Sequence, residues 1–308
     1  METSIRKSLD AVTGAFSYTG NFIARRLLAE GRQVITLTNH LDREDALSGQ
    51  IHAYPYAFEQ PDRLTHSLED VDTLYNTYWV RFSRGEVNFD LAVQNTRVLL
   101  QAAKQAGVRR VVHISVTNPS FDTQLPYFRG KWQVEQAVQS SGLSFAILRP
   151  TLIFGPGDIL VNNIAYLLRR LPFFVIPGDG KYEMQPVYGN DLADLAMRLG
   201  AENEDLIIDA AGPERLPFDQ WVNKIAAAVG RRARLVYAPP ALSMIPVRVL
   251  SLFLMDVLLT TDEVKGLMAG LLVSFDPPST QTTMSDWLVQ HGSELGLHYA
   301  SEVKRHFH

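Results

Sequence analysis

Apolar positions in the first half of the chain alternate between two rhythms. Compact runs rich in Val, Ile and Leu, the mark of buried strands, are followed by stretches with apolar residues three and four apart, the mark of amphipathic helices. The spacing predicts strands over 33–38, 51–58, 72–77, 110–116 and 144–150, and helices over 21–30, 61–68, 86–107 and 125–141. A further apolar run, ending at Ala11-Val12, stops at the turn Thr13-Gly14-Ala15-Phe16-Ser17-Tyr18-Thr19-Gly20, which opens the first helix. Glycines at 107 and 142 act as helix stops.

Beyond Pro150 the rhythm changes. Turn signals stand at Gly155-Pro156-Gly157 and Pro177-Gly178-Asp179-Gly180, followed by a helix over 190–200 and a strand over 206–210. Helices then dominate, over 219–229, 242–259, 261–272 and 282–290. Strands alternating with helices of this length pack as a parallel sheet covered on both faces. The expected fold is α/β: a Rossmann-type doubly wound parallel sheet with a smaller, mostly helical C-terminal substrate lobe. Residues 1–154, completed by about 186–212, form the expected dinucleotide-binding domain. Residues 155–185 and 213–308 form the expected substrate-binding lobe. Ligands of such sheets sit outside the carboxyl ends of the strands, so a cleft is expected between the lobes.

Composition narrows the choice of function. At 308 residues the chain is long enough for one large domain or two modest ones. Apolar residues make up 46% and charged residues 20%, as in soluble globular proteins. A net charge of −4 supplies no basic field for nucleic acid. There is no cysteine, which removes disulfides, thiolate metal sites and cysteine nucleophiles and agrees with a reducing, cytoplasmic location. None of the eight histidines falls in a metal-binding spacing. Residues 1–10 lack the apolar core of a signal peptide. The apolar stretch 240–259 contains Pro246, Arg248 and Asp256. Each of the two charges is unfavourable by roughly 3 kcal/mol near a bilayer centre, so the stretch reads as a buried helix or pocket wall. Peripheral membrane contact stays open, but no integral span is expected.

The glycine turn is the first candidate site. A helix that follows a strand through a tight turn presents unpaired N–H groups and the positive end of its dipole to a phosphate. Thr13, Gly14, Ser17 and Gly20 are expected to cradle a pyrophosphate, with Phe16, Tyr18 and Thr19 in the same turn. Ser17 stands where a middle glycine normally lets the backbone approach, and its hydroxyl is expected to reach a phosphate oxygen instead. An acidic residue at the end of the second strand would select NAD through the ribose 2′-OH. Thr38-Asn39-His40 occupies that place, and Asp42 and Arg43 come slightly later, the arginine being a group suited to a 2′-phosphate. The expected cofactor is therefore NADP, with NAD as the alternative. Asn76 and Thr77, at the end of the strand over 72–77, are counted with the cofactor site.

The second candidate set is Ser115, Tyr127 and Lys131. Tyr127 and Lys131 lie four apart and share a helix face, while Ser115 ends the preceding strand. Hydride exchange between a nicotinamide and a carbonyl or alcohol needs a group that passes a proton. A free phenol, with pKa near 10, is about three units too weak an acid; closing that gap takes roughly 4 kcal/mol, the order of one close ammonium in a partly dry site. Lys131 is the expected ammonium and also a hydrogen-bond donor to the nicotinamide ribose, and Ser115 is expected to hold the substrate oxygen. No G-x-S-x-G elbow surrounds Ser115. His113, inside a strand, reads as a satisfied core residue. Tyr75, Tyr78, Trp79 and Phe82 face substrate or pack the core. Met244, Phe253, Leu254 and Met255 line an apolar pocket or pack the C-terminal lobe.

On these motifs the chain resembles the short-chain dehydrogenase/reductase superfamily, on its extended and atypical branch with the NAD-dependent epimerases and dehydratases, over roughly residues 9 to 215. The resemblance includes Leu148-Arg149-Pro150-Thr151-Leu152-Ile153-Phe154-Gly155-Pro156-Gly157-Asp158. It implies that Pro150, Thr151, Leu152 and Ile153 pack on the nicotinamide. Pro177-Gly178-Asp179-Gly180 and Val187-Tyr188-Gly189-Asn190-Asp191-Leu192-Ala193 match later family segments. The last hundred residues, including Leu259-Thr260-Thr261-Asp262-Glu263-Val264, are similar to the family of nucleotide-binding accessory subunits of respiratory complex I and its bacterial relatives. The chain departs from the pattern at Ser17, at Tyr56-Ala57-Phe58 where an acidic adenine contact is usual, and at Leu74-Tyr75-Asn76-Thr77-Tyr78-Trp79 where small residues are usual.

The expected function is an NAD(P)-dependent oxidoreductase acting on a small molecule, apolar or of modest size. A nucleotide-sugar epimerase or dehydratase would use the same triad, but the lobe's one basic cluster is Arg231, Arg232 and Arg234. The complex I resemblance implies a second reading, an NADP(H)-binding structural or sensing module without turnover. A third is a quinone or isoprenoid reductase at a membrane surface, docking through 250–254. The helix over 86–107 either pairs in a homodimer or faces the sheet.

Overall fold

A computed structural model describes residues 8–43, 46–83, 85–243, 251, 256 and 260–301. The chain divides into two compact units, Met1–Pro150 with Gly189–Asp209 and Thr151–Tyr188 with Ala210–His308.

The first unit follows the predicted alternation. Its elements are β1 (Leu9–Thr13), α1 (Tyr18–Ala29), β2 (Gln33–Thr38), β3 (His52–Pro55), α2 (Pro61–His66), β4 (Val71–Asn76), α3 (Phe89–Gln105), β5 (Arg110–Ile114), α4 (Pro126–Gln139) and β6 (Ser144–Pro150). After an excursion into the second unit, α6 (Gly189–Ala201) and β11 (Leu206–Ala210) complete it. The sheet order is β11-β6-β5-β4-β1-β2-β3. The pairings of β1 with β2 and β4, β2 with β3, and β5 with β4 and β6 are all parallel. The order reverses beside β1, so the carboxyl ends of β1 and β4 frame the switch point where such sheets bind ligands.

Packing explains the winding. Leu74, Val111 and Ile147 of the sheet meet Leu64 of α2, Val93 and Leu99 of α3, and Val134 and Val138 of α4 in one buried cluster. The apolar stripe of α3 therefore faces the sheet. Arg110, fully buried, donates to the carbonyls of Leu199 and Glu204 at 2.7 Å each and to Ser144 Oγ. It thereby satisfies orphan carbonyls at and beyond the end of α6. Gly107 and Gly142, at φ 77° and 75°, terminate α3 and α4 as the sequence predicts. β3 is shorter than the expected 51–58 because Ala57, at φ 45°, leaves extended geometry.

The second unit holds α5 (Ile159–Arg170), α7 (Phe218–Ala228), α8 (Thr261–Met268) and α9 (Met284–His291). It also holds short strands that the mostly helical expectation did not include. β7 (Leu152–Phe154) pairs in parallel with β10 (Pro186–Tyr188), and β8 (Phe174–Pro177) with β13 (Leu235–Ala238). β9 (Glu183–Met184) pairs antiparallel with β12 (Leu216–Pro217). Strands of two to four residues carry no readable period, and their partners lie far away in sequence. α5 was also missed; Asp158 caps it, accepting from the N–H groups of Leu160 and Val161 directly after the Gly-Pro-Gly turn. Gln185, buried, ties this unit together, donating to Gly212 O at 2.9 Å and accepting from the Ser274 N–H at 3.0 Å. The expected helix over 242–259 lies almost wholly outside the described residues, as do Met244, Phe253, Leu254 and Met255. Among the described residues no helix is long and apolar enough to cross a membrane.

Candidate active site

The turn after β1 is built around two glycines. Gly14 sits at φ 65°, a left-handed geometry that is unfavourable by roughly 1–2 kcal/mol for other residues. Gly20 lies in the first turn of α1, where a Cβ would collide with the carbonyl oxygen of Gly14. Glycine alone lets the helix close on the strand end. The Ala15 N–H donates to Thr36 Oγ1 at 3.0 Å, and Thr36 Oγ1 donates to Val12 O at 2.8 Å, locking the loop to β2. Ser17 is the N-cap of α1, but its side chain caps nothing. Its hydroxyl donates to Gly14 O at 2.6 Å, closing the turn rather than standing free for a phosphate, as the sequence had suggested. The N–H groups of the first helical turn have no intrahelical acceptor and stand at the positive end of the α1 dipole. A backbone cradle with such donors fits the pyrophosphate of a dinucleotide.

Thr13, Asn76 and Thr77 act as a brace. Thr13 Oγ1 accepts the Thr77 N–H at 2.7 Å and lies 3.3 Å from Asn76 Oδ1, while Thr77 Oγ1 donates to the Thr13 carbonyl. These side chains join β1 to β4, supporting the cradle from below. Phe16 is buried, and Tyr18 and Thr19 are half-buried on the first turn of α1. At the end of β2, Asn39 is exposed and His40 and Arg43 are half-buried. The His40 N–H donates to Thr38 Oγ1 at 3.0 Å, and the Arg43 N–H to His40 O at 3.4 Å. No carboxylate stands at the strand end itself; Asp42 and Arg43 follow side by side in the turn. Pro150, buried, ends β6. In the second unit, Thr151 is committed to Gln185 O and Ala210 O, while Leu152 and Ile153 are half-buried in β7.

The second group lies at the carboxyl end of β5. Side chains alternate along a strand, so His113 and Ser115 share the face of Val111, which packs against α3 and α4. On α4 the residues Tyr127, Gly130, Lys131 and Val134 fall on one face at spacings of three and four. Lys131 is only 3% exposed, and its Nζ donates to Ile114 O at 2.9 Å. Burial pulls its proton affinity down to about 7, partly offset by Glu135 one turn on. Glu135 is itself neutralised by Arg149, through bonds of 2.9 and 2.6 Å. Tyr127 is half-buried, its ring edge-on to Trp79 and Phe89 at 5.9 Å each.

The serine hydroxyl supplies a further clue. Ser115 Oγ is buried and has no hydrogen-bond partner. A buried polar atom left unpaired costs about 1–3 kcal/mol, so such a group at a strand end calls for an incoming partner. His113 is the residue whose environment the sequence did not reveal. Its Nδ1 lies 3.2 Å from Asn76 Nδ2, whose amide oxygen already accepts from the Tyr78 N–H. The amide therefore donates to Nδ1, and the ring proton sits on Nε2, which is buried without a partner. Burial first, and the Lys131 charge second, hold His113 well below the ordinary histidine range. It is a neutral donor, not a base. Among the described residues no group of three or more His, Asp or Glu could hold a metal.

The profile of the NAD dependent epimerase/dehydratase family matches residues 11–208, well over half of the chain. The chain belongs to that family. Among relatives of this epimerase/dehydratase chain, the sterol demethylase protein B of Methylococcus capsulatus is 33% identical over 242 residues, covering 70% of this chain and 73% of that one. Subunit 9 of the NADH dehydrogenase [ubiquinone] 1 alpha subcomplex, mitochondrial, from Mus musculus is 26% identical over 199 residues. That match covers 62% of this chain and 52% of the mouse protein, so the chain spans about half the length of this relative. The fold is shared with the Citrobacter sp. triphenylmethane reductase complexed with NADP(H), at a TM-score of 0.75 and 17% identity, covering 92% and 99% of the two chains. Membership makes a nicotinamide dinucleotide the cofactor class.

Proposed function

We propose that the chain is an NADP-dependent oxidoreductase that reduces a carbonyl, or oxidises the corresponding alcohol, of an apolar or modest-sized substrate. The observation that carries this reading is the buried, unpartnered hydroxyl of Ser115, two residues from His113 on the strand face that packs against α4, which carries Tyr127 and Lys131. A bound nicotinamide supplies or accepts the hydride. Ser115 donates to the substrate oxygen and orients it. Tyr127 passes the proton to or from that oxygen. Lys131 holds the ribose hydroxyls through N–H groups not used on Ile114 O, and its positive charge favours the phenolate. The first turn of α1 holds the pyrophosphate, and Arg43 receives the 2′-phosphate. The exposed Arg231, Arg232 and Arg234 offer no enclosed site for a second diphosphate, which supports a non-nucleotide substrate.

Fluorescence titration with NADPH and NADH tests the cofactor half, and NADPH is expected to bind about tenfold more tightly, or about 1.4 kcal/mol. Turnover against a carbonyl panel tests the rest. Tyr127→Phe is expected to keep NADPH affinity and lower kcat by roughly 10²–10⁴. Unchanged turnover in that variant refutes the assignment. The relation to the mouse NADH dehydrogenase subunit favours a second reading, a nicotinamide-binding module, which predicts firm binding and no turnover in the wild-type chain.

A further inference from the structure

Trp79 stands where the family resemblance calls for a small residue, and three contacts define its seat. Its ring lies over the Lys131 ammonium, with Nζ 4.8 Å from the ring centroid. The same ring stacks on Phe89 at 5.7 Å and 16° and meets Tyr127 edge-on at 86°. Below it is Gly130, on the α4 face between Tyr127 and Lys131, where a Cβ would come within 2.8 Å of Trp79 Cη2. The indole thus contacts both side chains proposed to carry the chemistry.

We propose that Trp79 is a positioning residue of the candidate active site: seated on Gly130, it holds Lys131 against the Ile114 carbonyl and keeps water from the ammonium. The inference rests on the role given to Lys131 under the proposed function. Two effects of the ring oppose each other. Its π face attracts the charged amine. Its bulk removes the water that would otherwise stabilise that charge. Burial is the leading cause that brings the proton affinity of Lys131 to about 7, far below the ordinary lysine value, and the indole is part of the surface that buries it. The charged and titratable groups around Lys131 are Tyr127 and Glu135 on α4, His113 on β5, and Arg149 on β6 through Glu135. Trp79, between β4 and α3, and Phe89, the first residue of α3, carry no charge. His113 is neutral and Glu135 is paired, so the hydration of Lys131 is the quantity that a change at position 79 alters.

The test uses the full chain with Trp79→Ala and, from the opposite side of the contact, Gly130→Ala. The second variant pushes the ring off its seat while favouring the helix, since alanine is a better helix former than glycine. Competitive acylation with acetic anhydride across pH 6–10, with the Lys131 peptide read by mass spectrometry, gives the titration midpoint of that amine. The wild-type midpoint is expected near 7. Trp79→Ala is expected to raise it by about one unit or more, a tenfold change in proton affinity, and Gly130→Ala by a smaller step in the same direction. An unmoved midpoint in the folded variants, or a wild-type midpoint at the ordinary lysine value, overturns the inference. If Trp79→Ala does not fold, Gly130→Ala decides alone. NADPH titration of the same proteins separates the two readings. A wild-type chain that binds no nicotinamide refutes the proposed function while the midpoints still judge Trp79. Firm binding with unmoved midpoints overturns the role of Trp79 alone.

Discussion

Lys131→Met is expected to remove a pH-dependent term from the stability of the chain. The ordinary lysine value is 10.5, and burial in the folded chain brings Lys131 to about 7. Between those values the unfolded chain binds a proton that the folded chain has released. Stability therefore rises with pH across that window, because the unfolded state holds more protons. The difference, 10.5 − 7, is worth about 5 kcal/mol in total at roughly 1.4 kcal/mol per unit. Between pH 7 and 9, with the folded-state amine already half neutral at the start, wild type should gain about 2 kcal/mol over the methionine variant. At pH 7 the methionine chain is expected to be the more stable, since relief of the buried charge exceeds the roughly 1 kcal/mol lost with the bond to Ile114 O. Urea unfolding of both proteins at pH 7, 8 and 9 gives the difference directly, and the titrating groups that Lys131 does not perturb cancel in it. A difference that stays constant within about 0.5 kcal/mol across the series refutes the reasoning, because Lys131 would then be solvated. A charge that lowers stability at neutral pH is what a chain keeps when the group has work to do.

Gly20→Ala forces a Cβ onto the Gly14 carbonyl, and a loss of about 2–3 kcal/mol in thermal unfolding is expected, with weaker NADPH binding. Arg43→Ala should weaken NADPH about tenfold and leave NADH nearly unchanged, read by fluorescence titration. Arg110→Met leaves the carbonyls of Leu199 and Glu204 and the Ser144 hydroxyl without their donor. It is expected to destabilise the first unit by about 3 kcal/mol in chemical denaturation, without altering the pH profile of turnover.

What the sequence showed and what it hid divide along a physical line. Parallel strands buried on both faces are rich in apolar and β-branched residues on both sides, so β2, β4, β5 and β6 were legible within a residue or two. Gly14 and Gly20 were legible because their constraint is local, a left-handed turn and a close helix start six residues apart. Tyr127 and Lys131 were legible because helical spacing alone puts them on one face. Contacts between remote positions were not. Nothing local says that Thr77 braces Thr13 or that Asn76 fixes the proton of His113. Trp79 belongs to the same class, since its seat lies 51 residues further on. One trace of that seat was nevertheless in plain sight. A glycine in the middle of α4 weakens the helix by about 1 kcal/mol relative to alanine, a disadvantage with no local purpose. Its position between the phenol and the ammonium shows that the missing side chain is what makes room for the indole.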